Sequence, residues 1–173
     1  MADVVGLLHK NYDPTYGTVN VRPIVDALVA SSKDPFSEFT DVFYKAEPRW
    51  HLPILEAMRV LAATGRCTQE QTGDIFKATE TVAAESGTDQ YYKSVNAVVV
   101  SPKIAPALAD HIAGWLNRQN EFYRQLAFYT SGMLLQRKMS EVLKTIRPSL
   151  EAAAKSENSS NLRSQFSEVL KKL

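Results

Sequence analysis

"EFYRQLAFYTSGMLLQRKM", residues 121–139, is the stretch on which the fold turns, because it lies inside a long run with no proline between Pro106 and Pro148. Its aromatic residues Phe122, Tyr123, Phe128 and Tyr129 sit among Arg124, Arg137 and Lys138. Stepping about 100° per residue, these rings spread around much of a helix instead of aligning as a stacking platform. A helix enclosed on several sides fits that spread better than a base-stacking surface, which needs its rings on one exposed face. Phe128 and Tyr129 are therefore candidate interface residues.

Outward from this stretch, the apolar positions change sides. Ile112, Leu116, Tyr123, Leu126 and Leu134 cluster on one face, whereas Met139, Val142, Leu143 and Ile146 fall roughly opposite. One straight helix over the whole run would reach about 60 Å, too long for a compact domain. A bend or break near Ser131-Gly132 is expected, or else a long helix whose ends bury against different subunits. Arg137, Lys144 and Arg147 lie opposite the second apolar cluster and form a cationic stripe.

The rest of the chain is punctuated by turn residues and keeps a helical period. After Val4, Val5, Leu7 and Leu8, "NYDPTYGTVN" (11–20) reads as an extended loop, since Pro14 and Gly17 discourage helix. Ile24, Val25, Leu28 and Val29 share a face. Asp34-Pro35 starts a helix, with Asp34 able to accept free amides and Pro35 where its missing N–H costs nothing. Phe36, Phe39, Val42 and Phe43 are its buried stripe. Pro48 and Pro53 bracket "RWHL", and the apolar run from Ile54 to Leu61 predicts a central helix capped by Gly65. Thr68 and Gln71 have capping-box spacing. "QYYKSVNAVVV" (90–100) predicts helix, with a short buried strand as the alternative. Ser101-Pro102 reads as a further helix start. The tail passes from a polar linker into an amphipathic helix through Leu162, Phe166, Val169, Leu170 and Leu173.

The expectation is an all-α, irregular multi-helix bundle of about six to eight helices, with a long, bent or broken C-terminal helix and an amphipathic tail helix. Residues 1–155 form the helical domain, and 156–173 form a linker and a helix able to dock on a partner subunit.

Composition narrows the function classes. The 173 residues are 45% hydrophobic and 23% charged, ordinary for a folded globular chain. No apolar run approaches the roughly 18 residues of a membrane span, and the N-terminus has no secretory leader pattern. The single cysteine, Cys67, points to a cytoplasmic or other reducing compartment. Net charge is +1, but residues 1–117 carry 10 Lys/Arg against 14 Asp/Glu and residues 118–173 carry 10 against 5. Such asymmetry seats an anionic partner on the C-terminal half, orients copies of the chain, or merely draws the two halves together.

Motifs for chemistry are absent. The seven glycines are never closer than eight residues, which excludes a P-loop or a dinucleotide fingerprint. His9, His51 and His111 are far apart, so no metal is expected. Asp110-His111 is at most half an acid/base pair. Glu56 and Arg59, one turn apart, predict a buried ion pair or a pair in a cleft. Cys67 follows Arg66 before a helix start, a place that can lower a thiol pKa, although no histidine base is near.

A non-catalytic helical protein acting through protein–protein association, as a homo-oligomer or subunit of an assembly, is the first expectation. It needs no cofactor, and Phe128, Tyr129, Leu162, Phe166, Val169 and Leu170 are its interface candidates. The alternative is a nucleic-acid-packaging coat or nucleocapsid-like protein, with Arg118, Arg124, Arg137, Lys138, Lys144 and Arg147 contacting phosphates or an acidic partner. A small helical enzyme or lipid carrier would require a closed apolar cavity with convergent polar groups.

Overall fold

The computed structural model describes residues 3–173; Met1 and Ala2, where the expected helical domain begins, lie outside them. Among the described residues there are eleven α-helices and one two-stranded hairpin, so the class is all-α. The helices outnumber the six to eight expected because the C-terminal half is cut more finely than its proline spacing suggests. Contacts divide the chain into a first unit ending at Ile104 and a second, Ala105–Leu173.

In the first unit, α1 (Val4–Lys10) is capped by Asp3, whose carboxylate accepts from the Gly6 amide at 2.9 Å. The segment read as a loop is a hairpin, β1 (Tyr12–Asp13) and β2 (Thr18–Val19), paired Tyr12 to Val19 and Asp13 to Thr18. Asp13 Oδ1 accepts from the Thr15 amide, and Gly17 takes φ +63°, so the turn residues close a tight connection where a longer loop was expected. Next come α2 (Arg22–Ser31), α3 (Pro35–Phe43), a 3-10 turn (Pro48–Trp50), α4 (His51–Ala63), α5 (Thr72–Ser86) and α6 (Asp89–Val99).

Helix α4 is central and packs on α2, α3, α5 and α6. Ile54, Leu55, Met58 and Leu61 of α4 are fully enclosed, as are Phe36, Phe39 and Phe43 of α3. Gly65 ends α4 with φ +70°, and the Arg66 amide reaches back to Leu61 O at 2.8 Å, a Schellman closure. Thr68 and Gln71 exchange the two capping-box bonds, although α5 begins only after a further turn. Gln71 also reaches sideways: its Nε2 donates to both Asp34 carboxylate oxygens and to Ser37 Oγ, each at 3.2 Å. Asp34 meanwhile accepts from the Ser37 amide as the cap of α3.

The second unit opens with a 3-10 turn (Ala105–Ala107) where a direct helix start at Ser101-Pro102 was expected. It continues with α7 (Leu108–Leu116), α8 (Glu121–Gln136), α9 (Ser140–Lys144), α10 (Arg147–Ser156) and α11 (Ser160–Lys171). The expected break at Ser131-Gly132 does not occur. Thr130 and Ser131 are buried and return their hydroxyls to Leu126 O and Ala127 O, so α8 runs through them. The interruptions lie at 117–120, where Asn120 caps α8, and at 137–139. There Lys138 adopts φ +59° and the Met139 amide bonds Leu134 O at 2.9 Å. The change of apolar face thus reflects separate helices, each turning its own side inward. Helix α8 packs on α7, α9 and α11, and α10 packs on α7 and α11.

Candidate functional site

A partly enclosed apolar cavity in the first unit forms where the hairpin meets the start of α4. Pro48 begins the 3-10 turn, the Trp50 amide bonds Glu47 O at 2.9 Å, and the indole is carried inward to 4% exposure. His9, from the last turn of α1, meets the indole edge-on at 4.8 Å between ring centres, and Tyr12 does so at 5.9 Å. Arg49 covers the indole at 4.8 Å while pairing with Glu47 at 2.9 Å. Leu52, Pro53 and Glu56 of α4, with Gly17, Thr18 and Val19 of the hairpin, complete a pocket of about 310 Å³.

Glu56 is the one acid in that wall. Among the described residues it makes no hydrogen bond or ion pair, and the expected ion pair with Arg59 is not formed, although its charge still acts on that arginine. Arg59 instead turns into the unit, donating from Nε to Ser94 Oγ at 2.9 Å, from Nη1 to Gln90 Oε1 at 3.0 Å and from Nη2 to Gln90 O at 2.8 Å. Ser94 Oγ shares a 2.6 Å hydrogen bond with Thr79 Oγ1, so α4, α5 and α6 are joined by one buried polar cluster. Burial lowers the Arg59 pKa to about 10, against the charges of Glu56 and Asp89. Neutral partners reach the guanidinium from the α6 side, which is why α4 does not hold it against its own Glu56.

Three tyrosines of the first unit stand exposed: Tyr12 in the pocket wall, Tyr16 in the hairpin turn and Tyr44 at the end of α3. Tyr12, Tyr16 and Tyr44 are 43%, 78% and 57% exposed, and Val5 is 38% exposed. Tyr44 lies edge-on to Phe43, which stacks on His51 at 4.6 Å, next to Trp50 in the chain.

A more open cleft of about 440 Å³ in the same unit is lined by Lys33, Asp34, Arg66, Cys67, Thr68, Gln71 and Lys103. Cys67 is buried there, and burial together with Asp74 and Asp34 pushes its thiol up to about 12. Its place ahead of a helix start therefore does not lower the thiol pKa. Asp34 is held below its usual range, the Ser37 and Gln71 hydrogen bonds outweighing its burial.

In the second unit, the six cations expected to form a backbone groove have different environments. Arg124 Nε meets Glu157 Oε2 at 2.6 Å, and its Nη1 donates to the carbonyls of Arg118 and Gln119. Arg118 lies over the Tyr123 ring at 5.0 Å. Lys144 pairs with Glu141 and Arg147 with Glu151 on the surface. Arg137 and Lys138, at the exposed α8–α9 corner, are in no ion pair among the described residues.

Of the expected interface residues, Leu162, Phe166 and Val169 are buried within the second unit, where α11 packs on α10 and α8. Phe128 is half-buried and meets Phe166 edge-on at 6.3 Å. Tyr129 and Leu170 are half-buried. His111, half-buried beside Trp115, has its pKa lowered by burial, with Asp110 opposing.

The Trp50 pocket is absent from the sequence expectations. Its signal was the density of rings and turn residues in 9–20 and 44–51, a pattern without regular period because the residues come from a hairpin and a 3-10 turn. Among the described residues no three His, Cys, Asp or Glu side chains converge as metal ligands do, and no helix is long and apolar enough to cross a membrane. Compared with protein-family models, curated proteins and solved structures, the chain has no significant match.

Proposed function

We propose that this chain works through protein–protein association, as a self-assembling protein or a structural subunit of a larger complex. The observation that carries the reading is the exposed aromatic side chains of the first unit, Tyr12 in the wall of the pocket that contains Trp50, Arg49 and Glu56, Tyr16 in the hairpin turn and Tyr44 at the end of α3. Tyr, Trp and Arg are enriched at the centres of protein interfaces, where a few rings carry most of the binding energy.

Charge supports self-association in particular. The residues up to 104 carry 10 Lys/Arg against 13 Asp/Glu, a balance of −3, and residues 105–173 carry 10 against 6, a balance of +4. Opposite potentials on two units of one chain speed encounter between copies and set their orientation. The single, buried Cys67 fits work in a reducing, cytoplasm-like compartment.

Nucleic-acid packaging is the second reading, favoured by the +4 balance and by the unpaired Arg137 and Lys138. Against it, Arg124 is engaged internally and Lys144 and Arg147 have acidic neighbours. Light scattering across a wide range of protein concentration tests the first reading. A strict monomer that recovers no protein partner overturns it, and tight, steeply salt-dependent binding of single-stranded RNA would put the second in its place.

A further inference from the structure

We propose that the Trp50 pocket receives a basic side chain from a second copy of the chain, Arg137 or Lys138 at the α8–α9 corner, with Glu56 as its counter-charge. The inference rests on the self-association reading and deepens it. Three observations lead to it.

First, the pocket is built for a cation on an apolar stem. Its walls are the rings of His9, Tyr12 and Trp50 with Val19, Leu52 and Pro53, and its volume of about 310 Å³ suits one long side chain rather than a helix or strand. Ring faces attract ammonium and guanidinium groups, most strongly where water is excluded. Arg49, the cation already at the rim, is neutralised by Glu47 at 2.9 Å.

Second, Glu56 is half-buried in that wall and, among the described residues, has no hydrogen bond or ion pair. A carboxylate drawn out of water gains from any cation brought to it. Its neighbour on the helix, Arg59, acts on it through charge alone, its N–H groups being committed to Gln90 and Ser94.

Third, a matching projection exists on the oppositely charged unit. Arg137 and Lys138 are exposed and unpaired, and the φ of +59° at Lys138 makes a sharp corner between α8 and α9. The turn places two exposed cations side by side, whereas Lys144 and Arg147 lie beside Glu141 and Glu151. Each copy offers one pocket and one corner.

The test uses two full-length variants, Glu56→Lys in the pocket and Arg137→Glu with Lys138→Glu at the corner. Far-UV circular dichroism confirms that each is folded, and Glu56→Gln serves in place of Glu56→Lys if the latter is not. Sedimentation velocity is expected to show wild type associating as concentration rises, and either variant alone weakening that association by at least about ten-fold. Mixing the Glu56→Lys and corner variants is expected to restore association, since the intact corner of one fits the intact pocket of the other and the exchanged charges of the second pair again attract. In a Trp115→Phe background, Trp50 fluorescence shifts on mixing. A wild type that stays monomeric sinks the self-association reading and this contact with it. A wild type that associates, with variants that associate equally well or fail to pair on mixing, overturns the contact alone.

Discussion

Arg124 and Glu157, 33 residues apart in sequence, meet at 2.6 Å with Glu157 only 2% exposed at its side chain. The same guanidinium holds the carbonyls of Arg118 and Gln119, and the Glu157 carbonyl accepts from Arg163 Nε at 3.0 Å and Nη2 at 2.6 Å. Two arginines and one glutamate therefore tie the α7–α8 connection to the α10–α11 corner. Replacing Glu157 with Gln leaves Arg124 without its charge partner, and denaturant unfolding is expected to show a loss of about 3 kcal/mol. A change within the scatter of surface substitutions would mean that the pair is solvated and incidental.

The same contact sets an acid limit. Burial pushes the Glu157 pKa up, but the Ser159 amide and Arg124 outweigh it, so the folded value lies below the ordinary 4.5. A carboxylate with a depressed folded pKa contributes stability that is fully present above the unfolded value and is lost as pH falls through the folded one. Unfolding free energy measured from neutral pH into acid is expected to fall more steeply below 4.5 in wild type than in Glu157→Gln. Parallel curves would exclude Glu157 as a source of the acid sensitivity.

Arg59→Leu removes a buried charge but strands Gln90 Oε1 and takes a donor from Ser94. The unpaired polar atoms outweigh the relief of burying no charge, and a loss of about 3 kcal/mol is expected by denaturant titration. An unchanged midpoint and slope would show that Thr79, Gln90 and Ser94 re-pair without the arginine.

Cys67, with its thiol pushed up to about 12, holds thiolate in on the order of one molecule in 10⁵ at neutral pH. Alkylation by iodoacetamide, followed by intact mass, is expected to be far slower in buffer than in denaturant. Equal rates would place the sulfur in solvent.

Lys138→Gly separates stability from association. A non-glycine residue at φ +59° costs about 1 kcal/mol, which glycine recovers. The variant is expected to melt higher than wild type while associating more weakly, because one of the two corner cations is gone. Weaker association together with a lower melting temperature would show that the lysine stabilises the corner in its own unit.

Local rules carried much of the fold. Asp34-Pro35 and Gly65 act at the helix ends they were assigned, and the Thr68/Gln71 capping box forms but closes the turn before α5 rather than the helix itself, because capping depends on residues within one turn. The break at Ser131-Gly132 was misplaced because a hydroxyl and a glycine look like interruptions in sequence. In the packed helix the hydroxyls of Thr130 and Ser131 bond back to their own turn. The true interruption at Lys138 carries no glycine or proline to mark it. Basic residues were legible as charge but not as geometry: nothing near Arg124 in sequence reveals Glu157, and nothing near Arg59 reveals Gln90. The Trp50 pocket draws on α1, the hairpin and the start of α4, whose side chains converge only in three dimensions.

Gln71 closes its own capping box and also bonds the carboxylate that caps α3. The first turn of α3 and the turn that leads into α5 are therefore linked by one amide side chain, and neither can open without loosening the other. In hydrogen exchange the Ser37 and Gln71 amides should open as a single event, and Gln71→Ala should release both, making this small polar knot the place where two distant helix starts share one fate.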